Sequence, residues 1–96
     1  MRVDLYEEVD EASLRAAAIE AQRLTAELNG SFHEPHEVRE LFFRITGQEE
    51  DDTFALFPPF TTDYGRGIHV GRTVFINSGC RFQDQGGVFI GNDVFI

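Results

Sequence analysis

The sequence contains no lysine and little positive charge of any kind. Its eight basic residues are all arginines, and seventeen acidic residues outnumber them, which leaves a formal net charge of −9 over 96 residues. Nucleic acids and anionic membranes bind to clusters of basic side chains, so we expect neither as a partner. An acid-rich surface without lysine also suggests a protein that works at high salt, where salt screens the repulsion between carboxylates.

Cysteine is nearly absent, and long apolar runs are absent. The single Cys80 cannot form an intramolecular disulfide, which excludes a disulfide-stapled secreted scaffold. No run approaches the roughly 18 apolar residues of a membrane span. The acidic N-terminus lacks the apolar stretch, roughly 7–15 residues long, of a signal peptide. We therefore expect a cytoplasmic protein.

Charge divides the chain into two regions near residue 52. Residues 1–52 hold fourteen acids and five arginines, whereas residues 53–96 hold three of each. Seven of the nine glycines and seven of the ten phenylalanines lie in the second region. We predict a helical cap with an acidic loop over residues 1–52 and a repeat region over residues 53–96.

Two helices are predicted in the first region. Asp10 is placed to cap the first helix and Asn29-Gly30 to end it. Pro35 suits the first turn of the second helix, which should run to Thr46 and stop at Gly47. Apolar residues recur at spacings of three and four on one face of each helix: Leu14, Ala17, Ala18, Ala21, Leu24 and Leu28, then Val38, Leu41, Phe42 and Ile45.

The second region has an imperfect six-residue repeat. Large apolar residues lie at Val70, Ile76 and Phe82, and the series resumes after a two-residue slip at Ile90 and Ile96. Such repeats are typical of β-helices, in which three short strands per coil form a triangular prism. Eighteen residues per coil would stack Val70 on Val88, with an enlarged turn at residues 85–87. Small residues follow four positions later: Val74, Cys80, Gly86 and Val94.

An antiparallel meander remains open as an alternative fold. The segments FINSGC at 75–80 and VFIGND at 88–93 could be strands separated by turns. Periodicity favours the β-helix over the meander without deciding between them.

Four runs in this region resemble the maltose, galactoside and nodulation-type sugar O-acetyltransferases, which are hexapeptide-repeat acyltransferases. They are PPFTTDYG at 58–65, GIHVGR at 67–72, FINSGCRFQD at 75–84 and VFIGNDV at 88–94. The N-terminal stretch also resembles the helical leader of that family. The resemblance implies an α+β fold, in which a helical cap precedes the first coils of a left-handed parallel β-helix.

The same resemblance implies a function. Members of the family form homotrimers and transfer an acetyl group from acetyl-CoA to a sugar hydroxyl, without a metal. A histidine acts as general base on the acceptor hydroxyl, which suits imidazole near neutral pH. In the family this histidine follows the IGDNV-like coil, so we expect it beyond Ile96, together with most of the acetyl-CoA site. We therefore expect the 96 residues to be inactive alone.

The resemblance also marks candidate acceptor contacts. Asn77 matches an asparagine that contacts the sugar, and its amide could both donate and accept. Asp84 matches an acidic residue near the acceptor, with Gln85 as the alternative because the alignment is open by one position. Glu8 is the nearest match to an acid of the helical leader. Phe75 falls where some members have tyrosine, and packing is its expected role.

The remaining polar residues match no catalytic role. His33 and His36 flank Pro35, and His69 lies in a turn whose histidine is not the base, so all three are expected to be surface polar groups. A different class of function stays open beside the enzyme. A chain of this kind could be a non-catalytic assembly or binding module that joins related trimers through its last coil.

Overall fold

The structure is a computed structural model and describes residues 10–96. This part of the chain begins with two helices. Helix α1 spans Glu11–Gly30, and the side chain of Asp10 caps it by accepting a hydrogen bond from the backbone N–H of Ser13 at 2.7 Å. The hydrogen bonds from Ser13 lower the pKa of the exposed Asp10 carboxyl. Both predicted ends of this helix are confirmed.

Helix α2 spans Pro35–Thr46, as the sequence predicts. Glu34 and Glu37 form a reciprocal capping box, and Pro35 occupies the first turn, where its missing N–H costs nothing. Gly47 ends the helix in the left-handed conformation at φ 75°, and its N–H donates to the carbonyl oxygen of Phe43. Within residues 10–96, neither helix has the length and apolar character that a membrane crossing needs.

Six short strands follow and pair in parallel across two coils. Each strand of the first coil pairs with the corresponding strand of the second coil, which gives three two-stranded sheets around one core. The antiparallel meander is therefore wrong, and the arrangement is the start of a β-helix. The pairs are β1 (Ala55–Leu56) with β4 (Phe75–Ile76), β2 (Phe60–Thr62) with β5 (Cys80–Phe82), and β3 (Ile68–Val70) with β6 (Val88–Ile90).

The coil is longer than the predicted eighteen residues. Ile68 pairs with Val88 and Val70 pairs with Ile90, so the register offset is 20 residues and the predicted stacking of Val70 on Val88 is wrong. The two extra residues lie in an enlarged corner between the second and third strands of each coil. The sequence indicates this corner at 85–87, but the first coil has the same corner at 63–67.

The helices and the coils share one hydrophobic core. Leu24 and Leu28 of α1, Phe42 of α2 and Phe60 of β2 are all buried in the same cluster. The ring of Phe42 stacks on that of Phe54, with centroids 4.1 Å apart. Burial of each such phenylalanine contributes about 1.5–3 kcal/mol, so α2 is held mainly by its packing on the first coil.

Amide side chains of the helical region cover the open edge of the first coil. The Nδ2 of Asn29 donates to the carbonyl oxygen of Phe60 at 2.9 Å, and Asn29 Oδ1 accepts from Phe60 N at 3.0 Å. Gln22 donates to the carbonyl oxygen of Thr62, and Gln48 donates to that of Ile68. These bonds pair backbone groups that an edge strand would otherwise leave unpaired.

Replacement of Asn29 tests this edge capping. Asn29→Ala removes both bonds to Phe60 and should lower the free energy of unfolding by about 1–3 kcal/mol. Alanine is the better helix former, so the propensity of α1 alone predicts the opposite sign. Urea unfolding of the two proteins measures the difference. Gln83→Ala, at an exposed position of the second coil, is the control, and an equal or higher stability of Asn29→Ala would contradict the capping role.

Candidate functional site

Asn77, the first predicted acceptor contact, follows strand β4 at the corner that leads to β5. Its side chain is exposed, and its Oδ1 accepts a hydrogen bond from the backbone N–H of Ser78 at 2.8 Å. The backbone N–H of Asn77 donates to the carbonyl oxygen of Ile96 at 2.9 Å, which ties the corner to the next coil. Because Oδ1 serves the turn, Nδ2 is the part of the amide that can donate to a ligand hydroxyl.

Three phenylalanine rings run beside Asn77 on the outside of the coils. Phe57, Phe75 and Phe95 form this aromatic face, with edge-to-face contacts at centroid distances of 5.1 Å and 6.4 Å. Phe57 is 57% exposed and Phe95 is 75% exposed. Leu56 pairs with Ile76, so the next residues, Phe57 and Asn77, lie opposite each other on adjacent coils. The rings offer apolar surface beside a free amide donor, a combination that suits a sugar ring.

Asp84, the second predicted acceptor contact, is buried in the enlarged corner. Its exposed fraction is 0%. One carboxylate oxygen accepts from the Thr62 hydroxyl at 2.6 Å and from Tyr64 N at 2.8 Å, and the other accepts from Gly67 N at 3.0 Å. A side chain at Gly67 would collide with the backbone oxygen of Asp84, so the close approach requires glycine there. The carboxylate therefore joins the corners of the two coils.

This burial argues against direct contact between Asp84 and an acceptor. A sugar hydroxyl could reach the carboxylate only by displacing hydrogen bonds that hold the corner together. Gln85 is the alternative match, because the alignment is open by one position. It follows Asp84 directly and is exposed. Asp84 is buried because the corner needs an acceptor for two backbone N–H groups, and the negative charge of Asp84 makes those bonds strong.

The structure does not bring the predicted acceptor residues together within one chain. Asn77 lies at the corner before β5, and Gln85 lies at the corner after it. The three residues of β5 alone span roughly 10 Å. Glu8, the third predicted contact, lies outside the described residues.

The three histidines lie apart from these acceptor residues. The Nδ1 of His69 accepts from the Gln48 amide at 2.9 Å, and its ring stacks on Phe89 with centroids 4.7 Å apart. The Nε2 of His33 donates to the carbonyl oxygen of Glu27 at 2.9 Å. His36 is exposed in the first turn of α2. Within residues 10–96, no histidine is hydrogen-bonded to Asn77, Asp84 or Gln85.

Acidic groups surround the loop that leads into the first coil. Hydrogen bonds from the Thr53 hydroxyl and backbone N–H hold the pKa of the Asp51 carboxyl below its usual value, and the charge of Arg72 contributes. The same Thr53 hydroxyl accepts from Thr73 N, which links this loop to the second coil.

Among the residues from 10 to 96, no three histidine, cysteine or acidic side chains are grouped closely enough to hold a metal ion.

Sequence reasoning missed most of the aromatic face. It singled out Phe75 for packing and Phe95 as part of the exposed apolar end of the last coil, but Phe57 carried no expectation. Phe75 and Phe95 are one coil of 20 residues apart, so the correct coil length would have placed Phe95 directly over Phe75.

Comparisons with known proteins identify structural relatives. No protein-family model and no curated protein matches the chain. The fold is similar to the hexapeptide-repeat containing acetyltransferase VCA0836 from Vibrio cholerae, with 27% identity and a TM-score of 0.81 over 95% of this chain. A structure of that acetyltransferase in complex with acetyl-CoA, from Vibrio cholerae O1 biovar eltor, matches with 27% identity and a TM-score of 0.73 over 90% of this chain. The matches cover 53% and 46% of those chains, so this chain spans about half their length.

The bridging role of Asp84 is testable. Asp84→Asn keeps one oxygen but turns an amide N–H towards the N–H of Gly67 or Tyr64, and should lower the free energy of unfolding by about 2–3 kcal/mol. Gln85→Ala, one residue away and exposed, should change it by less than about 0.5 kcal/mol. Urea unfolding at one pH compares both variants with the unmodified chain. Equal stability of Asp84→Asn and the unmodified chain would show that the carboxylate does not hold the corner.

Proposed function

We propose that the chain is part of an acetyl-CoA-dependent acetyltransferase of the hexapeptide-repeat type. One observation carries this proposal: nearly the whole chain superposes on a hexapeptide-repeat acetyltransferase whose structure has been determined with acetyl-CoA. The relatives are about twice as long, so the activity belongs to a protein that includes further coils. The left-handed sense of the β-helix and a cytoplasmic location are parts of this proposal.

The proposed acceptor is a sugar hydroxyl. Asn77 Nδ2 is exposed and has no partner among the described residues, and the aromatic face beside it offers apolar surface for a sugar ring. The run FINSGCRFQD at 75–84, one of those that resemble sugar O-acetyltransferases, contains Asn77. A sugar carries no charge, so the acidic surface of the chain does not repel it.

The acceptor site is proposed to lie between copies of the chain in a homotrimer. Asn77 and Gln85 lie at different corners of the prism, so one sugar could contact both only where the corner of one copy meets another corner of a second copy. In this arrangement Asp84 positions Gln85 by fixing the backbone of the enlarged corner. Glu8 remains a proposed third contact from the helical leader.

The proposed reaction is direct acetyl transfer. A histidine takes the proton from the acceptor hydroxyl, and the hydroxyl oxygen attacks the thioester carbonyl carbon of acetyl-CoA. The bond from that carbon to sulfur breaks, and the CoA thiolate takes the proton back from the imidazole. His33, His36 and His69 are not placed for this step, so the base is proposed to come from a part of the protein outside residues 1–96.

A non-catalytic assembly or binding module stays the alternative. The exposed rings of the aromatic face would equally suit contact with another protein of the same type. The two proposed functions make different predictions. The alternative predicts that no protein carrying this sequence forms an acetylated sugar.

The proposed role of Asn77 is tested by a chimera and one conservative variant. Residues 1–96 joined to the remaining coils of VCA0836 should release CoA thiol and form an acetylated sugar from a panel of neutral sugars, whereas the 96 residues alone should not. Asn77→Asp keeps the oxygen that accepts from Ser78 and replaces the Nδ2 donor with a charged carboxylate oxygen, which can only accept. It should lower kcat/KM for the sugar about 10- to 100-fold, with KM for acetyl-CoA unchanged.

Gln83→Ala in the chimera is the control and should retain full activity. Turnover by the 96 residues alone would contradict the placement of the base. A chimera that folds and binds acetyl-CoA but acetylates no sugar would contradict the sugar acceptor and favour the alternative.

A further inference from the structure

The corner that carries Asn77 leaves one backbone amide outside the hydrogen bonds between coils. The N–H of Asn77 donates to the carbonyl oxygen of Ile96 at 2.9 Å, and the N–H of Gly79 donates to that of Pro59 at 2.8 Å. The N–H of Ser78 lies between them and donates to the Oδ1 of Asn77 at 2.8 Å. The neighbouring coils therefore bind the amides on both sides, whereas the Ser78 nitrogen faces the side chain of Asn77.

This contact places a backbone nitrogen beside the amide carbon of the preceding side chain. Oδ1 of Asn77 is bonded to Cγ, so a nitrogen at 2.8 Å from Oδ1 is close to Cγ as well. Nδ2 has no partner among the described residues, and Asn77, Ser78 and Gly79 are all exposed. Rotation about the Cβ–Cγ bond can therefore turn Cγ towards the Ser78 nitrogen in the presence of water. Groups held this close react faster than separate molecules do.

We propose that Asn77 is a site of spontaneous deamidation through a cyclic imide. The Ser78 nitrogen gives its proton to water and attacks Cγ of Asn77, which forms a nitrogen–carbon bond. The Cγ–Nδ2 bond then breaks, and Nδ2 takes up a proton and leaves as ammonia. One water molecule opens the five-membered imide at either of its carbonyl carbons, which yields aspartate or isoaspartate. The net change is the exchange of NH2 for OH, and no other reactant is needed.

The sequence alone indicates a different asparagine. Glycine has no side chain to hinder attack by its nitrogen, so Asn29–Gly30 is the pair expected to react first in an unfolded chain. The fold opposes that reaction. Both amide atoms of Asn29 are bound to the backbone of Phe60, and Gly30 is the last residue of α1, where its N–H belongs to the helical hydrogen bonds. Asn29 is therefore protected while the chain is folded.

Asn92 is protected by contacts between the two coils. Its Oδ1 accepts from the backbone N–H of Arg72 at 2.8 Å. The nitrogen that would have to attack is that of Asp93, and its N–H donates to the carbonyl oxygen of Arg72 at 2.9 Å. The chain has three asparagines, and only Asn77 is hydrogen-bonded to the nitrogen that follows it.

Tryptic mapping of the aged protein tests this assignment, because trypsin cleaves after arginine and separates the three asparagines. The peptides are 24–39 with Asn29, 73–81 with Asn77 and 82–96 with Asn92. The 96-residue chain is kept at one mildly alkaline pH, folded in buffer or unfolded in urea, and mass spectrometry follows the exchange of NH2 for OH. In buffer, peptide 73–81 should react first. In urea, peptide 24–39 should react first, so unfolding reverses the order of the two sites.

Two variants of the attacking residue form a matched pair. Ser78→Gly removes the side chain beside the nitrogen and should raise the rate at Asn77 several-fold. Ser78→Val adds a stiff, β-branched side chain and should lower that rate several-fold. The rate at Asn29 in the same samples is the internal control and should be the same in both variants.

Deamidation would also alter the proposed acceptor site, and this consequence rests on the proposed function. Either product places a carboxylate where Nδ2 stood, so the donor to the sugar is lost. In the chimera with VCA0836, sugar acetylation should fall in step with the reaction at Asn77, and more slowly in Ser78→Val. Deamidation without loss of activity would contradict the role of Asn77 in sugar binding and leave the modification site standing.

Three results would overturn the modification site itself. If Asn29 reacts before Asn77 in both buffer and urea, the fold does not select Asn77. If position 77 yields aspartate without isoaspartate, water has attacked the side chain directly and no imide has formed. If Ser78→Gly and Ser78→Val react at the same rate, the Ser78 nitrogen is not the nucleophile.

Discussion

The buried carboxylate of Asp84 is the interaction on which the geometry of the coils depends. It binds the Thr62 hydroxyl and the backbone N–H groups of Tyr64 and Gly67, all in the preceding coil. Those bonds stack one enlarged corner on the other and thereby set the 20-residue register of all three strand pairs. The register places Phe95 over Phe75 and Asn77 opposite Phe57, so the candidate site follows from this one corner.

The helical region completes this arrangement at the other end. A parallel coil leaves the N–H and C=O groups of its first strands without partners, and Gln22, Asn29 and Gln48 satisfy several of them. The amide group is suited to this role because it donates and accepts in the same plane, as a peptide group does. The same packing encloses an apolar groove between the α1–α2 loop and β1.

The features that depend on local chemistry could be predicted from the sequence. The bounds of both helices follow from Asp10, Pro35 and the glycines that end them, because caps act within one turn. The inward positions of Val70, Ile76 and Phe82 follow from periodicity. The motif resemblance anticipated the hexapeptide-repeat acetyltransferase that the structural comparison found, and its sugar acceptor stays a prediction.

The features that depend on contacts between coils could not be predicted. The corner at 63–67 looks like an ordinary turn, so the sequence indicated only one of the two enlarged corners. The predicted coil length was therefore 18 residues instead of 20. The resemblance marks Asp84 as an acceptor contact and gives no sign of its role in the corner, because its partners are 17 to 22 positions away. Phe32 and Phe57 line one groove because a loop packs beside a strand, and no spacing in the sequence predicts that packing.

A crystal structure of the chain grown with a methyl glycoside tests the account most directly. The account predicts a sugar hydroxyl oxygen within hydrogen-bonding distance of Asn77 Nδ2, with the sugar ring against the aromatic face. A second copy of the chain that covers the aromatic face and leaves Asn77 inaccessible, or a glycoside bound elsewhere, would contradict it.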